Sequence, residues 1–189
     1  MTTTCVATTV AASTSTIVAS ASPALSTQTI SASSMPPGWS LEDNADTGVG
    51  CLHNLLEPAG IKQTSAAETY YAYAGGIPFL DEKVATYSNA KEAFTKIART
   101  IAACHHPSGP FKGYQTTGTV TPLAYAKVGS QSVAYHMVFT TSTNVTIYYD
   151  YVIARKKKVI VAVLEGSYPA VSASQFGGFV TLALSHVTS

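Results

Sequence analysis

Apolar residues recur at two different spacings along the chain, and each spacing predicts a type of element. From Ser132 to Thr140, and again from Val145 to Ile153, every second residue is apolar or aromatic, which is typical of a β-strand with one buried face. The run Val159 to Leu164 is apolar at every position, so we expect a central strand there. Turn residues separate these segments, and consecutive hairpins are therefore expected.

The clearest helix is predicted to begin after Asn89. Asn89 is a favourable N-cap residue, and Glu92 follows three positions later as its capping-box partner. Apolar side chains then recur at helical spacing and form a stripe that we expect to pack on the sheet: Ala90, Ala93, Phe94, Ile97, Ile101 and Cys104. A last helix is predicted after Ser172, with Phe176 and Phe179 on its apolar side.

The remaining segments complete the predicted fold. Thr64 to Ala74 and Phe79 to Ser88 are expected to be strands, and Pro122 suggests that Gly113 to Val128 is an edge or bent strand. Short helices are expected within 24–35 and from Cys51 to Leu56. Runs of hairpins interrupted by helices favour an α+β fold, with a twisted antiparallel sheet of about five to six strands and helices packed on one face.

The N-terminal part differs in composition from the rest. Of the first 34 residues, 24 are Ala, Ser or Thr, and no charged side chain precedes Glu42. Such a segment buries too little apolar surface to offset its ordering entropy. We therefore divide the chain into a flexible tether over residues 1–23 and a folded domain over residues 24–189. Cys5 at the start of a tether is typical of a mature bacterial lipoprotein, and it is the candidate lipid-attachment residue. The preceding Thr2-Thr3-Thr4 is a poor lipid-attachment sequence, so an incidental cysteine is the alternative.

Composition excludes several classes of function. Eleven Lys and Arg oppose ten Asp and Glu, and charged residues make up only 11%, so a nucleic-acid partner is not expected. The longest apolar run, Val159 to Leu164, is far shorter than the span of about 20 residues that a membrane helix needs. Gly75-Gly76 and Gly177-Gly178 lack the spacing of a phosphate-binding loop. We expect no cofactor and no metal, and membrane contact only through a lipid.

The three cysteines allow a disulfide, buried free thiols or a metal site. A bridge between Cys51 and Cys104 would close a long loop and stabilise the fold by about 3–4 kcal/mol in the chain-entropy model. Two buried free thiols are the alternative. Cys104, His105 and His106 are three possible metal ligands in a row, but consecutive residues at a helix end point in different directions. We predict the disulfide.

One constellation could support chemistry or binding. If the two alternating strands form a hairpin, His136 and Asp150 lie nearly opposite one another, on the same side as Tyr148 and Ser132. A Ser132, His136, Asp150 triad lacks a nucleophile elbow and is disfavoured. We expect Tyr148, His136 and Asp150 to line a ligand cleft, with Tyr148 as a stacking surface, while a solvated sheet face is the alternative. The basic run Arg155 to Lys158 is expected to be a solvated turn.

The order of these features resembles the extracellular sensor domain of mycobacterial serine/threonine protein kinase H and its stand-alone lipoprotein relatives. The resemblance covers residues 24 to 189 and depends on spacing rather than on a signature peptide. It is carried by Trp39-Ser40, by Cys51 with Leu52, Leu55 and Gly60, by Glu82 to Tyr87, by the helix from Ala90 to Cys104, by Gly129 to Tyr135 and by Asp150 to Arg155.

The resemblance implies a function as well as a fold. It implies a twisted antiparallel sheet with helices on one side, disulfides that tie the helices, and a broad cleft for an unknown ligand. The kinase member has two disulfides, whereas this chain has cysteines for one, since Cys5 lies in the tether. We therefore expect a monomeric, non-catalytic domain of the cell envelope or extracellular space that binds a small molecule, lipid or glycan. An envelope enzyme, a transport accessory protein and a structural surface protein are the alternatives.

Overall fold

The computed structural model describes residues 23–43 and 48–188. The strands and α-helices follow in the order α1 (Pro23–Ser26), β1 (Trp39–Glu42), β2 (Gln63–Tyr73), β3 (Phe79–Tyr87), α2 (Ala90–Ala103), β4 (Ser108–Phe111), β5 (Tyr114–Pro122), β6 (Gln131–Thr141), β7 (Thr146–Lys156), β8 (Val159–Ser167) and α3 (Ala173–His186). Single 3₁₀ turns span Ala32–Ser34 and Gly50–Leu52.

The eight strands form one antiparallel sheet in the order β1-β2-β3-β8-β7-β6-β5-β4. The central strand β8 inserts between β3 and β7, and it is buried at almost every position. The register places His136 opposite Asp150, and Asp150 opposite Glu165. Residues that are opposite one another share a sheet face, so these three side chains form a row across β6, β7 and β8.

The predicted sheet of five to six strands with helices on one face is wrong. The sheet has eight strands, the fold is mostly β, and the two 14-residue helices lie on opposite faces. The edge strands β1 and β4 have four residues each, too few for alternation to reveal them. Cover on both faces follows from β8, because a strand that is apolar on both sides must be shielded on both.

The first face, which we call the groove face, is covered in part by α2. Asn89 caps this helix as predicted, since its Oδ1 accepts a hydrogen bond from the Glu92 backbone N–H at 3.2 Å. The buried side of α2 packs with Ile153 of β7 and Ala162 of β8. The expected stripe is buried in the structure and includes Ala90, Ala93, Phe94, Ile97, Ile101 and Cys104.

The second face, which we call the α3 face, is covered by α3 and by the segment that precedes β1. Phe176 and Val180 of α3 pack with Val152 and Val161 of the sheet. Ile30 is 1% exposed, and its carbonyl accepts a hydrogen bond of 2.7 Å from the Tyr71 hydroxyl. The segment before β1 is therefore part of the folded core, and residue 30 is anchored on the sheet.

Two expectations concern residues that precede this segment. Both Cys5 as the lipid-attachment residue and the tether over residues 1–23 lie almost wholly outside the described residues, which begin at Pro23. These two expectations remain predictions.

Candidate functional site

A groove of about 1060 Å³ opens on the groove face, beside the part that α2 covers. Its floor is formed by β2, β3, β6, β7 and β8. One wall includes the loop from Val49 to Leu56 and the turn at Phe111 and Lys112, and the β2–β3 turn at Gly75 to Ile77 also contributes. A cavity of this size can hold a small organic molecule.

Four aromatic rings cross the floor of the groove in a continuous series. Tyr70 of β2 lies 5.4 Å from Phe79 of β3, between ring centroids. Phe79 lies 5.7 Å from Tyr149 of β7, and Tyr149 lies 5.5 Å from Phe139 of β6. These distances are those of favourable aromatic pairs. The series therefore provides an apolar surface that extends across five adjacent strands.

Two strand glycines allow the rings to lie close to the sheet. Gly166 of β8 is opposite both Phe79 and Tyr149, and a Cβ atom there would overlap the Phe79 ring. Gly118 of β5 is opposite Phe139, and a Cβ atom there would overlap the Phe139 ring. The absence of these two side chains leaves space for the rings, which is a known use of glycine within strands.

Charged groups lie beside the aromatic series. Lys83 Nζ is 3.3 Å from Glu68 Oε1 and 3.8 Å from Asp81 Oδ2. Burial, together with the nearby carboxylates of Asp81 and Glu68, raises the pKa of Tyr151 well above its ordinary value, so its hydroxyl remains protonated. Lys112 Nζ lies 5.9 Å from the Tyr70 ring centroid, within the range of a cation–π contact. The groove thus offers polar contacts next to an apolar surface.

The predicted disulfide fixes the loop wall of the groove. Cys51 and Cys104 are bridged, with their Cα atoms 5.8 Å apart, as the sequence analysis predicted. The bridge ties the 3₁₀ turn Gly50–Leu52 to the C-terminal end of α2. The Tyr87 hydroxyl donates a hydrogen bond to the Leu56 carbonyl and so provides a second connection. Burial raises the pKa of Tyr87 to about 12. Two independent contacts therefore hold residues 50–56 beside the floor.

The three residues predicted to line a ligand cleft lie together, but on the α3 face. His136 Nδ1 and Asp150 Oδ1 are 2.7 Å apart, and the Tyr148 ring is stacked on the His136 imidazole with centroids 6.3 Å apart. The His136 side chain is 36% exposed and that of Asp150 is 10% exposed. None of the three lines the large groove, and their role in binding a ligand remains a prediction.

The disfavoured triad does not assemble. Ser132 and His136 are four positions apart on β6, which corresponds to about 13 Å along a strand. The Ser132 Oγ instead accepts a hydrogen bond of 3.1 Å from the Val128 backbone N–H. Ser132 is therefore a structural contact at the entry to β6.

Two buried carboxyl groups were not recognised from the sequence. Glu82 is 0% exposed and Glu165 is 1% exposed, and both lie on the α3 face. Burial raises the pKa of each to about 7, and for Glu165 the charge of Asp150 contributes further. The two-residue alternation could have revealed them. Glu82 shares a strand face with the buried Leu80 and Val84, and Glu165 shares one with the buried Val161 and Val163.

Over 23–43 and 48–188, no cluster of three or more His, Cys, Asp or Glu side chains could hold a metal ion. Within the same ranges, no helix combines the length and apolar character needed to cross a bilayer.

The fold is similar to that of one solved extracellular domain. No protein-family model matches the chain. No curated protein sequence matches it either. Among solved structures, the extracellular domain of PknH from Mycobacterium tuberculosis superposes with a TM-score of 0.63 and 12% identity, over 85% of this chain and 92% of that one. An Rv0999 ortholog from Mycobacterium smegmatis has 14% identity and a TM-score of 0.48, over 82% and 92% of the two chains.

The first similarity confirms the predicted resemblance at the level of the fold. The chain has the fold of the PknH extracellular domain. Disulfides persist in oxidising compartments, so the Cys51–Cys104 bridge fits an extracellular location.

Proposed function

We propose that this chain is a non-catalytic, sensor-like domain of the cell envelope or extracellular space that binds a small ligand in the groove. The observation that carries the proposal is the series of rings Tyr70, Phe79, Tyr149 and Phe139 on the floor of a cavity of about 1060 Å³. Sites for small molecules are typically concave and mostly apolar, with a few placed polar groups, and the groove combines these properties.

The lining suggests the chemical class of the ligand. Aromatic rings on a floor favour a ligand with a flat apolar part. The charged residues of the lining are five carboxylates against two lysines, the carboxylates being Glu42, Asp43, Glu57, Glu68 and Asp81 and the lysines Lys83 and Lys112. This excess of negative charge disfavours an anionic ligand. We therefore propose a neutral or cationic amphipathic molecule.

The groove proposal can be tested with N-phenyl-1-naphthylamine, a neutral probe whose fluorescence increases in apolar surroundings. We expect saturable binding by the folded protein. Tyr70→Ala should weaken binding about two- to tenfold, the value of one aromatic contact. Tyr114→Ala is the matched control, because Tyr114 is 49% exposed and does not line the groove. Equal affinities of the Tyr70 variant and the unchanged protein would contradict the proposal.

The natural ligand requires a separate experiment. Native mass spectrometry of the protein purified from its own host should reveal a bound lipid, glycan or other small molecule whose mass disappears on denaturation. A chain that is repeatedly isolated without ligand, yet binds the probe, would restrict the ligand to one that is lost during purification.

The lipoprotein assignment rests on the sequence alone. We propose that Cys5 carries a lipid and that the Ala-, Ser- and Thr-rich residues up to 23 hold the domain away from the membrane. A lipid-sized mass on the N-terminal peptide from the native host, absent in Cys5→Ala, would support the assignment. An unmodified Cys5 in that material would contradict it.

A further inference from the structure

A row of ionisable side chains crosses the α3 face behind the groove. His136 of β6 is opposite Asp150 of β7, and Asp150 is opposite Glu165 of β8. Neighbouring strands are about 4.8 Å apart, so each group in the row lies next to the following one. His136 Nδ1 contacts Asp150 Oδ1 at 2.7 Å, and the Asp150 carboxylate acts on Glu165 electrostatically.

Exposure decreases steadily along this row. The imidazole of His136 is partly exposed, Asp150 is almost buried and Glu165 is 1% exposed. Glu165 Oε2 is buried and has no hydrogen-bond partner. An ionised carboxylate without a partner is unstable in such a place, because burial strongly disfavours the charged form.

No lysine or arginine in the described part of the chain forms an ion pair with Asp150 or Glu165. The other ionisable groups of the described residues near the centre of this face are one glutamate and four tyrosines: Glu82 on β3, Tyr71 and Tyr73 on β2, Tyr148 on β7, and Tyr125, which packs on Phe176 of α3. The segment 23–38 carries no charge, and α3 contributes only His186 in its last turn. Lys156 also lies at that distant end, with its Nζ bonded to the Leu184 carbonyl.

We propose that Asp150 and Glu165 form a proton-binding pair, with His136 at its outer end, and that proton uptake by this pair alters ligand binding in the groove. The first part stands on the row itself, and the second part rests on the proposed function of the groove.

The chemistry requires only the transfer of a proton from water. A hydronium ion gives its proton to the Glu165 carboxylate and becomes water, and the neutral carboxyl group can then donate a hydrogen bond to the Asp150 carboxylate. Protonation therefore replaces two mutually repelling carboxylates, those of Asp150 and Glu165, with one carboxyl–carboxylate pair. His136, hydrogen-bonded to the other side of Asp150, stabilises the charge that remains.

The same strands connect this pair to the groove. Side chains alternate between faces along a strand, so Asp150 is flanked by Tyr149 and Tyr151, which line the groove. Glu165 is flanked by Leu164, which lines the groove, and by Gly166, on which the Phe79 ring lies. A shift of β7 or β8 that accompanies protonation therefore moves the floor on which a ligand would lie.

The proton-binding pair can be tested in the unmodified protein by ¹³C NMR of glutamate labelled at the side-chain carboxyl carbon. The Glu165 signal, assigned by its absence in Glu165→Gln, is expected to titrate with a midpoint between about pH 6 and 8, well above the ordinary value of about 4.3 for Glu. Asp150→Asn should lower this midpoint, since the Asp150 charge raises the pKa of Glu165. Asp43→Asn, an exposed position, should not. A Glu165 midpoint below about 5, or one unaffected by Asp150→Asn, would overturn the pair.

The connection to the groove has its own readout. The affinity for N-phenyl-1-naphthylamine should differ about fivefold or more between about pH 5.5 and pH 8, within the usual range of coupling between two sites. The difference should disappear in Glu165→Gln. Equal affinities at the two pH values, with a normally titrating Glu165, would overturn the coupling alone. Absence of probe binding at both pH values would instead overturn the proposed function, and the NMR titration would still decide the proton site.

Discussion

The two faces of the sheet both carry acidic side chains, but they neutralise them differently. On the groove face, Asp81 and Glu68 lie within 4 Å of the ammonium group of Lys83. On the α3 face, Glu82 and Glu165 are fully buried without a lysine or arginine partner in the described residues, and each has one carboxyl oxygen that accepts no hydrogen bond. Charge on the first face is available to a ligand, whereas charge on the second depends on the proton concentration.

The faces also differ in how they are covered. Helix α2 shields only part of the groove face, and the uncovered part is the groove. Helix α3 and the segment around Ile30 together cover the centre of the opposite face. Both helices have 14 residues. The groove is therefore open because of the position of α2 on the sheet, and not because α2 is shorter than α3.

The helix-to-sheet packing should be equally strong on the two faces. Phe94→Ala on α2 and Phe176→Ala on α3 should each lower the free energy of unfolding by about 3–5 kcal/mol, because each loses buried surface and leaves a cavity. Phe94 and Phe176 are 5% and 1% exposed. Urea unfolding measures both, and Arg99→Ala, at an exposed position of α2, should change stability by at most about 0.5 kcal/mol. A loss below about 1 kcal/mol for Phe94→Ala would show that α2 is not packed as described.

Removing the disulfide should affect the groove face selectively. The bridged residues are 53 positions apart, and the chain-entropy model gives a loss of about 4 kcal/mol for a loop of that length. In the Cys51→Ala/Cys104→Ala double variant under stabilising conditions, we expect weaker binding of the groove probe. The fluorescence of Trp39, which packs on Phe179 at 5.1 Å on the α3 face, should not change. Retention of full probe affinity would mean that the bridge does not position the groove wall.

Acidification should stabilise the α3 face. The pKa values of Glu82 and Glu165 are raised from 4.5 to about 7, so between these values the folded protein binds protons that the unfolded chain has released. The free energy of unfolding therefore falls as the pH rises through this window, by up to about 3 kcal/mol for each group. The free energy of unfolding should therefore be highest near pH 4.5, at the lower end of this window.

The pH dependence of stability can be assigned to the α3 face by comparing two Glu→Gln variants, one on each face of the sheet. Glu82→Gln should flatten the decline in stability between about pH 4.5 and 7, because it removes one of the two shifted groups. Glu68→Gln on the groove face should leave the decline in place. Chemical unfolding at several pH values measures both. A wild-type stability that rises with pH across the window would contradict the assignment.

The smallest effects concern two glycines in different elements. Gly166→Ala should destabilise the protein by about 1–3 kcal/mol, since the new methyl group forces the Phe79 ring out of its position. Gly178→Ala on α3 is the matched control, because no atom beyond the adjacent residues and the backbone of α3 itself lies within 4 Å of the added carbon. It should stabilise the helix by up to about 1 kcal/mol. Effects of the same sign in the two variants would show that the ring contact does not determine the cost at Gly166.

Local patterns predicted the individual elements well. Helix α2 was predicted from Asn89, Glu92 and the stripe through Ile101. The hairpin of β6 and β7 was predicted with His136 and Asp150 within a few residues of opposite one another, and in the structure they are directly opposite. Capping and two-residue alternation are local properties, so the sequence contains the information directly. The Cys51–Cys104 bridge was also predicted correctly, since only one pairing was available once Cys5 was assigned to the tether.

The arrangement of the layers was not predictable in the same way. Alternation shows that a strand has two different faces, but it does not show which helix covers which face. The face of Tyr149 was expected to be covered by helices, and α2 covers only part of it, so that Tyr149 also contributes to the floor of the groove. The groove itself depends on Gly166 and Gly118, whose effect becomes visible only when Phe79 and Phe139 are placed across them from other strands.

Gly166 and Gly118 also bear on how such a groove could diversify among related chains. Neither glycine presents a side chain to the groove, yet each determines how deep an aromatic ring can lie. A single-codon change at either position would raise part of the floor and select for smaller ligands, while every ring-bearing residue stayed the same. Two homologues with identical aromatic residues could therefore differ in specificity, and a comparison restricted to the lining rings would classify them as equivalent.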